Sequence, residues 1–281
     1  MGTSTSNRGT RGQGTPLVPT WLEPDETGSG FLPPDGTPLP QETIPLQPIP
    51  PPADKDRFRI ARTNFTRFVN SGGHDRASLG HAVSEYVTRT AGGARRAAHS
   101  MGASRNASAR LLGFLVNTAN RGAQETLRSL HLENLVARPI QEIFLSLADY
   151  ICPETGRDDE GIAKAAFIDT IAELTTYGIT DLESLNIDQI HTVFELYATH
   201  AIELRIQNDI GMNTITLPPN VAQIPEIQRQ LHEFIRGAVD DALTAERAHL
   251  ESLTPDRTIE LVDKVYENTF AFLVALGNSE D

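Results

Sequence analysis

The distribution of proline constrains this chain more than any other feature of its sequence. Twelve of its 18 prolines lie within residues 1–53, and the first 36 residues also contain seven glycines. Proline removes backbone hydrogen-bond donors and glycine raises the entropy of the unfolded chain, so regular structure is costly there. The sequence therefore predicts a long, disordered, Gly/Ser/Pro-rich N-terminal tail over residues 1–53.

The remainder of the chain has helical periodicity. Its first apolar face, with spacings of three and four, is formed by Phe58, Ala61, Phe65 and Phe68. This pattern predicts a helix that starts at Asp54 or Asp56 and ends at Gly72-Gly73. Further helices are predicted near residues 75–90, 107–119, 123–136, 139–150, 158–176, 187–209, 224–250 and 256–276.

Two stretches of this body are harder to interpret. Residues 92–106, rich in Gly, Ala, Ser and Arg, are consistent with a loop or with a loosely held helix. Residues 214–217 are the only strand-like piece, and two prolines follow them. The predicted fold class is therefore all-α, a multi-helix body that follows the tail.

Charge divides the chain into two halves. The net charge is −13, but residues 1–138 carry +5 and residues 139–281 carry −18. We therefore distinguish a basic helical region, residues 54–138, from an acidic helical region, residues 139–281. Such asymmetry indicates either two surfaces with different partners or two halves that attract each other.

The compartment is predicted from features that the sequence lacks. Cys152 is the single cysteine, so no internal disulfide can form, as is usual in a reducing cytosol. No apolar run reaches the roughly 18 residues that a membrane-spanning helix needs, and the first residues do not form a signal peptide. These observations predict a cytoplasmic protein with no membrane segment. Cys152 precedes Pro153 at a predicted helix end, which favours a buried structural thiol over a nucleophile.

Motifs that would indicate an enzyme are missing. The sequence contains no phosphate-binding Gly-x-x-x-x-Gly-Lys-Ser/Thr loop, no Gly-x-Gly-x-x-Gly, no His-Glu-x-x-His and no Gly-x-Ser-x-Gly. Asp188-x-x-His191 and Glu246-x-x-His249 each place a carboxylate and an imidazole one helical turn apart, but a di-metal bundle needs two further inward carboxylates. We therefore predict neither an enzyme, nor a cofactor, nor a metal site.

An arginine stretch over residues 89–110 is the one candidate for nucleic-acid contact. Its members are interleaved with small residues: Arg89, Arg95, Arg96, Arg105 and Arg110. They lie in a segment, residues 53–128, that has 13 basic and five acidic residues. The alternative function is thus a nucleic-acid-binding adaptor that uses residues 57–128. Because the charge elsewhere opposes nucleic acid, an exposed solvated surface, or a patch that meets the acidic half, is favoured over it.

The tail contains two features that suggest recognition. An apolar tail segment, with the only tryptophan, includes Pro16, Leu17, Val18, Pro19, Trp21 and Leu22. It is consistent with a docking peptide or with a segment that folds back onto the body. Removal of Met1 would expose Gly2, whose small, mobile amine suits a ligase that acts on an N-terminus. Gly2 and Ser6 also match an N-myristoylation pattern, although no basic cluster adjoins them.

These tail residues resemble a known family. Two segments, followed by a proline-rich linker and a helical body, are similar to the QatB family of the bacterial Qat anti-phage defence operon: Met1-Gly2-Thr3-Ser4-Thr5-Ser6 and Gly14-Thr15-Pro16-Leu17-Val18-Pro19-Thr20-Trp21. The resemblance implies three operon partners: a P-loop ATPase, a 7-cyano-7-deazaguanine-synthase-like protein and a TatD-like nuclease.

The resemblance also implies a role for the tail. Synthase-like enzymes of this defence type are associated with joining a deazaguanine base to the N-terminal glycine of a partner, which would make Gly2 the acceptor. Trimming of the tail would instead present Gly9, Gly12 or Gly14. The family supplies no catalytic residue. The resemblance thus implies a non-enzymatic defence component, with a tail that serves as substrate and docking element and a body that binds partner proteins.

Overall fold

A computed structural model describes residues 56–156, 159–210, 221–246 and 257–279. All the described residues belong to one compact unit, so the basic and acidic helical regions both contribute to a single folded body. The predictions for the tail and for the strand-like piece at residues 214–217 lie outside the described residues.

Eleven α-helices account for most of the described part of the chain. They are α1 (Arg59–Asn70), α2 (Arg76–Glu85), α3 (Ala94–His99), α4 (Gly102–Arg121), α5 (Ala123–Ser129), α6 (Ile140–Ser146), α7 (Ala148–Ile151), α8 (Glu160–Glu173), α9 (Ile187–Ile210), α10 (Ile224–Ala245) and α11 (Thr258–Ser279). No strand occurs among the described residues. The predicted all-α fold class is therefore confirmed.

The N-terminal helices form where the sequence indicated. Ala61, Phe65 and Phe68 of α1 are buried. The helix begins at Arg59, later than the predicted start, and Phe58 is its N-cap residue. Gly72 and Gly73 follow α1 with φ values of 71° and 89°, a left-handed conformation that side chains disfavour. They turn the chain into α2, which packs against α1 and continues through a π-helical turn, Tyr86–Thr90.

The sequence is consistent with either a loop or a loosely held helix over residues 92–106. The structure shows that these residues are largely helical. They form α3 and the first turn of α4, and both helices pack against α11. The small side chains of Ser104, Ala107 and Ser108 are buried on α4, so neighbouring helices can approach closely. Their weak intrinsic helix signal is overridden by this packing.

The central element is α9, which contacts α4, α8 and α10. Every residue from Val193 to Ile202 on this helix is buried, so this stretch of α9 is enclosed on all sides and is not limited to the single buried stripe of a surface helix. Aromatic rings extend the core beside it in a row with centroid separations of 5.8–6.3 Å: Phe114, Phe144, Phe167 and Tyr197. Polar side chains within this buried helix consequently need specific partners.

Helix ends differ from the predictions by a few residues. The helix predicted over 123–136 ends at Ser129 and is followed by a short 3-10 turn, Glu133–Leu135. Pro139 lies at the N-cap of α6 rather than inside its first turn. Among the described residues, no helix is long and apolar enough to cross a bilayer.

Candidate functional site

The modification and docking residues predicted from the sequence lie outside the described residues. They are Gly2 and the apolar tail segment, Pro16, Leu17, Val18, Pro19, Trp21 and Leu22. The structure therefore leaves these predictions as they stand.

The arginine stretch is spread over three elements and is partly engaged within the protein. Arg105 is mostly buried and forms an ion pair with Asp263 of the acidic region. Arg110 donates a hydrogen bond of 2.9 Å to the Tyr150 carbonyl, and Arg89 Nε lies 2.7 Å from Glu85 Oε2. Arg95 and Arg96 are exposed on α3. The Arg105–Asp263 ion pair supports the alternative in which the basic region contacts the acidic region.

Cys152 is a free, buried cysteine at the end of α7. Its Sγ donates to the Ala163 carbonyl at 3.5 Å. Burial raises the pKa of the Cys152 thiol to about 11, so the thiol is protonated at neutral pH and a poor nucleophile. This environment supports the predicted structural thiol.

A polar seam runs between α9 and α10. Arg236 of α10 donates from Nε to Oε1 of the buried Glu195 at 2.6 Å and from Nη1 to Tyr177 Oη at 2.6 Å. The Arg236 guanidinium also stacks 5.0 Å from the centre of the Tyr177 ring. Beside this pair, His191 and Asp240 bring ligand atoms to within 4.8 Å of Glu195. His191, one helical turn from Asp188 in the sequence, thus also lies close to Glu195 and Asp240.

One end of the seam opens into a cleft of about 430 Å³. Its walls come from α8, α9 and α10, and its lining residues are Asp169, Glu173, His200, Glu203, Leu204, Gln207, Gln228, Arg229 and His232. Arg229 is neutralised by its own neighbours, since Glu226 and Glu233 both accept hydrogen bonds from its guanidinium. The remaining lining charges are mainly carboxylates, so the cleft favours a cation.

Two histidines and a carboxylate converge in this cleft. One ligand atom from each of His200, Glu203 and His232 lies within 4.8 Å of the other two. His232 Nδ1 is 3.0 Å from Glu203 Oε2, and the two imidazole rings are 5.2 Å apart. His200 and Glu203 are three residues apart on α9 and so project from the same face.

The two histidines have different electrostatic surroundings. The hydrogen bond with Glu203 raises the pKa of His232, against the effect of burial. Burial lowers the pKa of His200, and the Glu173 carboxylate 3.6 Å away only partly offsets this. His200 Nε2 has no hydrogen-bond partner among the described residues. A buried imidazole of this kind favours the neutral form, which is the form that binds metals.

None of these three residues belongs to a motif noted in the sequence. In those motifs a carboxylate precedes the histidine by three residues, whereas here His200 precedes Glu203. The reversed spacing is the one local signal for this pair. His232 comes from another helix, 29 residues beyond Glu203, and no local spacing connects the two. The predicted partner of Glu246, His249, lies outside the described residues.

The comparisons with known proteins point to one family. A family model described as "Qat anti-phage system associated protein QatB" matches residues 92–273, which is well over half of the 281-residue chain. No curated protein and no solved structure shows a significant match. The matched region covers most of the helical body, from the glycines before α3 to Leu273 in α11, and leaves out α1 and α2. It begins after the tail residues on which the sequence resemblance rested.

Proposed function

Since this chain belongs to the QatB family of Qat anti-phage system proteins, we propose that it is a non-enzymatic, cytoplasmic component of that defence system. In this proposal the N-terminal tail is the substrate and docking element for a 7-cyano-7-deazaguanine-synthase-like ligase, and the helical body binds partner proteins. The observation that carries the proposal is the family match over residues 92–273. The tail sequence before it supplies the residues on which the ligase would act.

Gly2 is the proposed acceptor because its amine combines reach with nucleophilicity. The residues that follow, Thr3 to Ser6, are small and uncharged. An attacking amine must be neutral, and an N-terminal amine with a pKa of about 8 is more often neutral at cellular pH than a lysine with a pKa of about 10.4. Gly2 is therefore a better nucleophile than Lys55, the nearest lysine in the sequence.

The apolar tail segment is the proposed docking element. Trp21 is the only tryptophan in the chain and lies within an otherwise polar tail. A tryptophan that fills a pocket on a partner supplies about 2 kcal/mol or more of binding free energy. Docking through this segment would hold the residues before it close to the active site of the ligase.

The body is proposed to bind the P-loop ATPase or another effector of the operon, for which the TatD-like nuclease is a candidate, while the tail docks on the synthase-like protein. Contact with nucleic acid is the weaker alternative, because Arg89, Arg105 and Arg110 already have partners within the body. A nucleic-acid adaptor would show a steep loss of affinity with added salt. Salt dependence of any binding by the isolated body therefore distinguishes the two functions.

The acceptor role is tested by the intact mass of the protein co-expressed with its synthase-like operon neighbour. Wild-type protein is expected to carry an adduct on its N-terminal peptide, and Gly2→Ala is expected to lose most of it. Alanine still permits removal of Met1, so this variant changes the acceptor and leaves processing intact. Gly9→Ala is the matched control and should keep the adduct. An adduct that persists on Gly2→Ala, or that maps to Gly9, Gly12 or Gly14, removes Gly2 from the proposal.

The docking role is tested separately with Trp21→Ala. The variant is expected to bind the synthase-like protein more weakly and to keep the melting temperature of the wild type. If Trp21→Ala melts at a lower temperature and binds normally, the segment packs on its own body and the docking role is wrong.

A further inference from the structure

We propose that His200, Glu203 and His232 form a binding site for one divalent transition-metal ion. The three side chains come from two helices that pack against each other, α9 and α10. A metal held by all three would tie these helices together at the mouth of the cleft. This inference stands independently of the proposed role of the tail.

The geometry is close to that of a metal site. The three ligand atoms lie within 4.8 Å of one another, and His232 Nδ1 and Glu203 Oε2 are already 3.0 Å apart. In a tetrahedral zinc site, ligand atoms about 2.1 Å from the metal lie roughly 3.4 Å from one another. Small rotations of the side chains would therefore bring all three into position.

The buried imidazole of His200 is the second observation that points to a ligand. Only 10% of its side chain is exposed, and in the described part of the chain Nε2 makes no hydrogen bond. A buried polar atom without a partner costs stability, so native proteins rarely retain one without a reason. Coordination of a metal at this cluster accounts for an imidazole held in such a position.

The ligand types select a class of metal. Two imidazole nitrogens and one carboxylate suit Zn²⁺ and neighbouring transition metals, whereas Mg²⁺ and Ca²⁺ prefer sites built from oxygen ligands. Three protein ligands would leave a fourth position for a water molecule or for a donor atom from another molecule.

Neighbouring side chains are placed to support the ligands. Gln207 Nε2 donates a hydrogen bond of 2.9 Å to Glu203 Oε1, so the second carboxylate oxygen is oriented towards His232. A hydrogen bond of this kind orients a metal ligand. Glu173 Oε1, 3.6 Å from His200 Nε2, and Asp169 add negative charge to the lining, which favours a cation at the cluster.

The second cluster on the seam is less suited to a cation. His191, Glu195 and Asp240 also bring ligand atoms within 4.8 Å of one another. However, Glu195 Oε1 accepts a hydrogen bond of 2.6 Å from Arg236 Nε, and this guanidinium both occupies the carboxylate and repels a metal ion. The two clusters therefore provide an internal comparison, in which His191 is the matched control for His200.

The test is a Zn²⁺ titration of the untagged, full-length protein after treatment with a chelator. Wild-type protein is expected to bind one Zn²⁺, with a melting temperature that rises on addition and falls again with the chelator. His200→Ala and His232→Ala should each lower the affinity by more than about 100-fold, beyond what loss of a supporting residue does. Gln207→Ala should lower it by about tenfold. His191→Ala, and His99→Ala on the exposed face of α3, should bind as the wild type does.

Titration with Co²⁺ gives a readout that needs no variant. Coordination by the cluster is expected to produce the intense visible bands of a four-coordinate site, and Zn²⁺ should displace them. Circular dichroism shows whether each variant is folded. If an alanine variant does not fold, the affinity of Gln207→Ala and the Co²⁺ spectrum of the wild type still test the metal site. The proposal is overturned if wild-type protein binds no Zn²⁺, if folded His200→Ala and His232→Ala retain full affinity, or if His191→Ala alone loses it.

Discussion

Asp159 and His200 are both buried, and both lie where helices distant in sequence meet, but their polar atoms have different surroundings. The Asp159 carboxylate accepts hydrogen bonds of 2.9–3.1 Å from the backbone N–H groups of Ala103 and Ser104, and a further one of 3.3 Å from the Ser104 hydroxyl. His200 Nε2, in contrast, has no hydrogen-bond partner among the described residues.

The Asp159 contacts explain how α4 begins. Its N-cap residue, Met101, provides no side-chain hydrogen bond, and the first N–H groups of any helix lack partners within the helix. Asp159, 55 residues away from Ser104, supplies the carboxylate that a local cap would otherwise provide. Its negative charge also interacts favourably with the N-terminal end of the helix dipole.

Asp159 and His200 therefore have different expected roles: Asp159 stabilises the fold, whereas His200 is expected to bind a ligand. A buried carboxylate with all its donors in place holds the fold together. An imidazole buried without such donors weakens the apo protein, and is expected where a ligand completes the site. The following predictions test this distinction, beginning with the largest expected effect.

Asp159→Ala is expected to lower the free energy of unfolding by about 3 kcal/mol, because it leaves the donors at the start of α4 without their buried, charged acceptor. Urea unfolding at neutral pH measures the change. Asp159→Asn keeps one acceptor oxygen and should lose roughly half as much. A loss below about 0.5 kcal/mol for the alanine variant would show that α4 does not depend on this cap.

Ser108→Ala tests a hydrogen bond between two uncharged side chains that joins α4 to α11. Ser108 Oγ and Tyr266 Oη are 2.8 Å apart and buried, so loss of the hydroxyl should cost about 1–2 kcal/mol. Tyr266→Phe should cost a similar amount. The double variant is expected to lose less than the sum of the two, since no unpaired hydroxyl remains. Strict additivity in urea unfolding would contradict a direct interaction.

Asp75→Ala compares the stability contributed by a local helix cap, at the start of α2, with that of the remote Asp159 cap of α4. Asp75 accepts from the backbone N–H and the hydroxyl of Ser78 at the start of α2, so its loss should cost about 1 kcal/mol, less than that of Asp159. Asp75→Asn retains a capping oxygen and serves as the control.

The pH dependence of the Asp75 cap follows from its pKa. The hydroxyl and backbone N–H of Ser78 hold the pKa of Asp75 below its usual value of 3.8. The contribution of the cap is therefore fully present well above pH 3.8 and is lost as the pH falls through the lower pKa of the folded state. The difference between wild type and Asp75→Ala should be equal at pH about 7 and about 5.5 and shrink only in stronger acid. A difference that already shrinks between those two pH values would contradict the lowered pKa.

Elements with a clear apolar face could be predicted from the sequence. The faces of α1 and α10 repeat every three or four residues, and Ala61, Phe65, Leu231 and Ile235 are buried as expected. Here the local pattern and the tertiary packing agree. For residues 92–106 the local pattern is weak, because Gly, Ala and Ser carry little hydrophobic signal. Their helices are stabilised by contacts with α11 and by Asp159, which no local window contains.

The contacts of Asp159 and His200 could not be predicted from the sequence, because in both cases a partner comes from a distant helix. Asp159 directly precedes α8, a position that predicts a cap for α8, yet its carboxylate binds the start of α4. The spacing of His200 and Glu203 is visible in the sequence, but the third residue of the cluster, His232, comes from α10. Both sites depend on which helices pack together, and that information is non-local.

The last prediction concerns His200 in metal-free protein and has the smallest expected effect. His200→Leu removes an imidazole whose buried Nε2 lacks a hydrogen bond in the described structure, and leucine fills much of the same volume. Replacing an unsatisfied polar group with an apolar one is nearly neutral or stabilising, so the urea midpoint should stay within about 0.5 kcal/mol of wild type or rise. His232→Leu is the matched control and should lose about 1 kcal/mol or more, because Glu203, only 12% exposed, loses its hydrogen bond with His232 and keeps the one from Gln207. A loss above about 1.5 kcal/mol for His200→Leu would mean that its contact with Glu173, 3.6 Å away, stabilises the fold. The contrast with Asp159 would then be wrong.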